Sequence, residues 1–143
     1  MRRIDEILIH CSATPEGRAV TAEDIRRWHT APKPKGNGWR DIGYHFVILL
    51  DGTIQQGRPI ELAGAHCTNH NRFSIGVCYI GGLSKNGKTP KDTRTEAQNA
   101  ALKQLVQQLQ QLYQIPLENI HGHKHYANKA CPCFDVEQWK QTL

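Results

Sequence analysis

Apolar positions along the chain change their spacing several times, and each change marks an element. Ile7, Leu8 and Ile9 form a short apolar run that predicts a strand over residues 4–9, with His10 at its end and the turn-forming stretch Cys11-Ser12-Ala13-Thr14-Pro15 after it. Thr21-Ala22-Glu23-Asp24 supplies a capping hydroxyl and early acidic residues, so a helix is predicted from there to about Thr30. Ile25 and Trp28 are its expected buried stripe, and Pro32, Pro34, Gly36 and Gly38 make the loop that follows. Trp39, in that loop, is assigned to the core rather than to a ligand. Residues 43–50 read as a second strand, Asp51-Gly52 as a hairpin turn and residues 53–58 as the return strand. Alternation then puts Tyr44, Phe46 and Ile48 on one face and His45, Val47 and Leu49 on the other.

A polar loop with His66 and His70 leads to residues 74–80, the most apolar segment and the expected central strand, closed by Gly81-Gly82. Residues 84–94 read as an exposed loop. Thr95-Glu96-Ala97-Gln98 is a capping-box pattern. After it Leu102, Leu105, Val106, Leu109, Leu112 and Tyr113 recur at three- and four-residue steps, which predicts an amphipathic helix ended by Pro116. Residues 119–121 form a short predicted strand, and Asp135 caps a last helix carrying Val136 and Trp139. No repeat or linker interrupts this order. It predicts an α/β fold in one domain, residues 1–143, with a central mixed β-sheet flanked by helices.

A length of 143 residues suits one domain with a real core. No apolar run approaches the roughly 18 residues of a membrane span, so no membrane span is expected. Met1-Arg2-Arg3 with its short apolar sequel does not read as a secretory signal, and the expectation is a monomer that is cytoplasmic when made. Five cysteines cannot all pair, which fits a reducing compartment, and Cys78 reads as a small buried hydrophobe. The net charge of +5 is scattered without a basic run, so nucleic acid is an unlikely partner. A polyanionic envelope such as a bacterial cell wall suits a pI near 9.1.

The chemistry gathers near the C-terminus, in His121-Gly122-His123-Lys124-His125 and Lys129-Ala130-Cys131-Pro132-Cys133. Histidine and cysteine are transition-metal ligands, and a catalytic zinc ion uses three of them and leaves a position open. His10, His123 and Cys131 could be such a trio, but spacing does not select them. His121, His123 and His125 alternate and on a strand would compete for one face. Neither a CxxC pair nor HExxH is present, and a structural zinc or unbound histidines on a wet loop remain open.

Four segments carry a resemblance that narrows this. IHCSAT at 9–14, GYHF at 43–46 with DGT at 51–53, NHNRFSIGVCYIGG at 69–82 and HGHKHYANKACPCFD at 121–135 span nearly the whole chain. In that order they resemble the type 2 N-acetylmuramoyl-L-alanine amidases, a superfamily that includes the peptidoglycan recognition proteins, and within it the small lysozyme-amidases of coliphages. The resemblance implies Zn²⁺ on His10, His123 and Cys131, catalytic roles for Tyr44 and Lys129, and a substrate-binding position for His66. The implied reaction is hydrolysis of the peptidoglycan amide between N-acetylmuramic acid and L-alanine, as in a phage or prophage lysin. Such a lysin needs a holin or secretion system to reach the wall.

Cys133 departs from the family pattern, standing where a small residue is usual, as a spare thiol that competes for metal or oxidises. The loop at 31–38 is longer than in the phage enzymes. Two rivals follow from the same resemblance: a peptidoglycan-binding module without catalysis, and a regulator that binds an RNA polymerase. A thiol enzyme using Cys131 or Cys133 is a third. The presence of all three metal-type residues favours the enzyme.

Overall fold

The structure, a computed structural model, describes residues 2–143. Strand β1, Glu6–Cys11, is buried along its whole length. It runs parallel to a neighbour on each side, which explains its continuous apolar run. The ladder extends β1 two residues past the predicted end, so His10 lies within the strand, opposite Cys78. After β2, Thr14–Pro15, helix α1 spans Ala22–Thr30. Its capping box is formed, with the Asp24 carboxylate accepting the Thr21 N–H at 2.9 Å and the Thr21 hydroxyl oxygen accepting the Asp24 N–H at 3.2 Å. Ile25 is buried, but Trp28 is 43% exposed, because only the first turn of this nine-residue helix contributes buried residues, Ala22 and Ile25.

The predicted hairpin is present but shorter, as β3, Phe46–Ile48, antiparallel to β4, Ile54–Gln56. Gly52 makes its turn at φ +88°, which costs other residues strain, and the Asp51 carboxylate accepts the Thr53 N–H. Tyr44 precedes the strand and escapes its alternation. It packs on the Val47 side, while Phe46 and Ile48 pack on the other.

Strand β5, Ser74–Tyr79, is central, in the order β4-β3-β5-β1-β7, and its mixed sheet agrees with the expected fold class. Strand β6, Gly82–Leu83, pairs with β2 in a separate small sheet. Helix α2, Glu96–Tyr113, buries Leu102, Leu105, Val106 and Leu109, while Leu112 is exposed. It stops at Gln114 in the left-handed conformation, before Pro116 is reached. Strand β7, Ile120–Gly122, leads into a 3-10 turn at His123–His125, and helix α3, Val136–Trp139, is capped by the Asp135 carboxylate.

Strand parity divides the core. Ile7, Ile9, Ile75, Val77 and Tyr79 face α2 and α3, where they meet Leu102, Val106 and Trp139. Cys78 and Ile80 face the other way, toward α1 and Val47. His10 and Gly76 share that second face by their even spacing from Cys78 and Leu8. His10, on the face of β1 turned away from α2 and α3, is what places the site.

Candidate metal centre

Parallel pairing of β1 with β7 sets His10 beside the residues that follow β7. The Nδ1 of His10 lies 3.9 Å from Sγ of Cys131, and the rings of His10 and His123 are 4.6 Å apart. One ligand atom from each of His10, His123 and Cys131 falls within 4.8 Å of the other two. Zinc bonds of ~2.0 Å to nitrogen and ~2.3 Å to sulfur fit such a triangle. Two imidazoles with a thiol suit zinc and related transition ions rather than Mg²⁺ or Ca²⁺. The loop that brings Cys131 is fastened to the sheet. Its Sγ accepts the Cys11 N–H at 3.2 Å, its carbonyl accepts the Lys124 N–H at 2.8 Å, and the Tyr79 hydroxyl donates to the Pro132 carbonyl at 2.7 Å.

His66 backs this group. Its Nδ1 is 2.8 Å from Nε2 of His10, and its Nε2 is 3.2 Å from the Ser74 hydroxyl. With His10 Nδ1 free for an ion, the His10 proton sits on Nε2 and is donated to His66, whose own proton goes to Ser74. Burial holds His10 and His66 well below the usual histidine range, with neighbouring cationic or imidazole groups adding to the effect. Burial and the Lys129 ammonium lower His123 as well. Neutral imidazoles are the form that binds metal.

The group opens into a cleft of about 370 Å³ lined by Tyr44, His66, His123 and Lys129, with Trp39, Thr68 and Asn71 at its sides. The Tyr44 ring lies 5.1 Å from that of His10. Burial, then the nearby thiols of Cys78, Cys131 and Cys11, push its phenol well above the ordinary range, so it is a neutral donor. Lys129 is exposed at the rim. Trp39 is not in the core as expected: it is 38% exposed and packs edge-on against His29 at 4.9 Å. The Pro- and Gly-rich loop folds over α1 and leaves the indole on the cleft wall.

The remaining candidates part company. Strand β7 ends at Gly122, so the 3-10 turn swings His123 toward His10 while His121 and His125 stack on each other at 3.9 Å. The expected competition for one face therefore does not arise. His70 stacks on Tyr126 at 3.7 Å, and both bond to the buried Glu6 carboxylate. Cys133 points to Cys11, Sγ to Sγ 3.9 Å, and lies outside the His10, His123, Cys131 group. Ser74 and Glu6 were not singled out in the sequence. A serine opening an apolar strand and an acid at the start of β1 were their only signals.

The N-acetylmuramoyl-L-alanine amidase family profile matches residues 1–134. The chain belongs to this family. The amidase is 40% identical over 135 residues to the endolysin of Escherichia phage T7, covering 94% of this chain and 84% of that one. It is 39% identical over 137 residues to the endolysin of Enterobacteria phage K11, covering 96% and 85%. Among solved structures it is similar to the N-acetylmuramoyl-L-alanine amidase LysC of Clostridium intestinale, with a TM-score of 0.81 and 27% identity over 99% of this chain and 85% of that one. Among the described residues of the amidase no helix is long and apolar enough to cross a membrane.

Proposed function

We propose that this amidase, acting as one domain over residues 1–143, is a zinc-dependent lysin for peptidoglycan, its substrate and main partner. It cuts the amide joining the lactyl group of N-acetylmuramic acid to L-alanine. His10, His123 and Cys131 would hold the ion, and Tyr44 and Lys129 would act on the substrate. The observation that carries this is the convergence of three N/S ligand atoms beside a cleft walled by Tyr44 and Lys129.

Bound zinc supplies Lewis acidity, which polarises a carbonyl and acidifies water. The chain supplies the rest. The Lys129 ammonium at the cleft rim and the neutral Tyr44 hydroxyl are donors for the negative charge that develops on the amide oxygen in the tetrahedral transition state. The protonated phenol also has a proton it can share with the leaving amine. His66 has both ring nitrogens committed inside the protein, so its role is to position His10 rather than to bind substrate.

The test is purified protein on purified peptidoglycan, scored for new alanine amino groups and for reducing sugar ends. New amino groups that vanish with chelator and return with Zn²⁺ are expected, without new reducing ends. Cys131→Ala should lose both tight zinc and activity. Tyr44→Phe and Lys129→Ala should keep zinc and lose about 10²–10³-fold in kcat, the scale of removing one oxyanion donor. A fully active Cys131→Ala protein would sink the ligand assignment. Zinc binding without release of any amino group would favour the binding module.

A further inference from the structure

A second cluster of ligand-type side chains lies on the edge of the sheet, outside the cleft. Its members are His121 on β7, His125 on the 3-10 turn and Glu137 on α3. We propose that His121, His125 and Glu137 form a second site for a divalent transition-metal ion, separate from the His10, His123, Cys131 group and weaker than it.

One ligand atom from each of the three residues lies within 4.8 Å of the others. The Nδ1 atoms of His121 and His125 both face the same carboxylate oxygen, Oε1 of Glu137, at 2.7 and 3.5 Å. The other oxygen, Oε2, is taken by the Lys140 ammonium at 2.7 Å. Lys140 is itself buried and anchored on the Ile120 carbonyl at 3.0 Å. The lysine thus orients the carboxylate and leaves Oε1 to the histidines, as outer-shell partners of metal ligands do. Without an ion, Oε1 is hydrogen-bonded to His121 Nδ1 alone, and His125 Nδ1 stands 3.5 Å off without a hydrogen bond. A cation can take the place of the His121 proton if that ring carries it on Nε2 instead, the tautomer that also frees Nδ1 of His125, with no net proton released.

The donor chemistry sets the class of ion. Two imidazoles and one carboxylate select Zn²⁺, Co²⁺, Ni²⁺ or Cu²⁺ over Mg²⁺ and Ca²⁺. His121 is buried and fixed, whereas the side chains of His125 and Glu137 are 42% and 45% exposed. The two rings are parallel within 3°, so their lone pairs do not yet converge, and the exposed His125 is the ring free to turn. That adjustment, and the absence of a thiolate, make this the weaker site. An ion here would join β7 to α3 and brace the turn that carries His123.

The experiment uses the full chain, stripped of metal and then equilibrated with Zn²⁺ for bound-metal analysis and with Co²⁺ for absorption spectra. Wild type is expected to bind two ions. His125→Ala and Glu137→Gln should each bind one, retain the thiolate-to-cobalt charge-transfer band and keep the amidase activity measured with one equivalent of zinc. Cys131→Ala should bind one ion with no such band, and the double variant with His125→Ala should bind none. Both surface substitutions leave the core intact, which far-UV circular dichroism checks. An ion count per chain that neither His125→Ala nor Glu137→Gln lowers, whether one or two in wild type, overturns the proposal. Loss of one ion in His125→Ala with no loss in Cys131→Ala would support this site while refuting the ligand set of the first.

Discussion

A side chain at Gly64 or Gly76 would collide with His66: an added Cβ would come within 2.5 Å of the imidazole at the first position and 2.6 Å at the second. These two glycines make the slot in which His66 holds His10. Gly76→Ala should displace the ring, and His66→Ala should remove its bond to His10. Each is expected to weaken zinc binding by about 10–100-fold, the usual cost of losing an outer-shell partner. Competition against a chromophoric chelator measures this, and unchanged affinity in both variants would deny His66 a positioning role. His45 gives a pH dependence of its own. The Gly76 N–H donates to its Nδ1, its Nε2–H donates to the Leu62 carbonyl, and Arg2 stands 3.1 Å away. Burial, assisted by Arg2 and Arg58, lowers it from 6.5 to about 4. Between those values the unfolded chain binds more protons than the folded one. The stabilisation is therefore whole above about pH 6.5 and fades as pH falls toward 4, by up to about 3 kcal/mol. Denaturation across that range should show a flatter slope for His45→Gln than for wild type.

The elements are tied together by polar groups as well as by apolar faces. Gln98 is fully buried in the first turn of α2. Its Oε1 accepts the Thr95 N–H at 2.9 Å, and its Nε2 donates to the carbonyls of Ile48 and Ile80 at 3.2 and 2.9 Å. The capping box therefore also closes the ends of the segments bearing β3 and β5. Gln98→Leu would leave the Ile80 carbonyl and the Thr95 N–H without partners, while the Ile48 carbonyl keeps the Ile80 N–H, a loss of about 1–3 kcal/mol in urea unfolding. A loss below 1 kcal/mol would mean that water replaces the amide. The Thr95 capping pattern was legible in the sequence because it is local. The contacts of Gln98 with the sheet were not, because its carbonyl partners are 50 and 18 positions away.

At the scale of the whole molecule, the metal group joins the second half of β1 to a loop more than a hundred residues later. An ion that binds only the folded chain stabilises it in proportion to RT ln(1 + [L]/Kd), about 4 kcal/mol at a thousandfold excess over Kd. Chelator should therefore lower Tm by several degrees and make it depend on zinc concentration. In Cys131→Ala the same treatment should shift Tm far less. A wild-type Tm indifferent to chelator and zinc would argue against a tightly held ion.

The sequence by itself determined the elements with local signals: the Thr21 cap of α1, the Thr95 capping box of α2, the Asp51-Gly52 turn, the apolar central strand and the 3.6-residue stripe of α2. Through its resemblance it also named His10, Tyr44, His66, His123, Lys129 and Cys131 as a set. Tertiary structure decided how those residues meet. Parallel pairing carried β1 past Ile9 and put His10 inside the strand, and the end of β7 at Gly122 sent His123 one way and His121 and His125 another. It also kept Trp28 and Trp39 out of the core and set His66 over Gly76. Periodicity reports which face of an element is apolar. What covers that face, and which residue is drawn into a gap left by a glycine, depends on chain segments brought together only by folding.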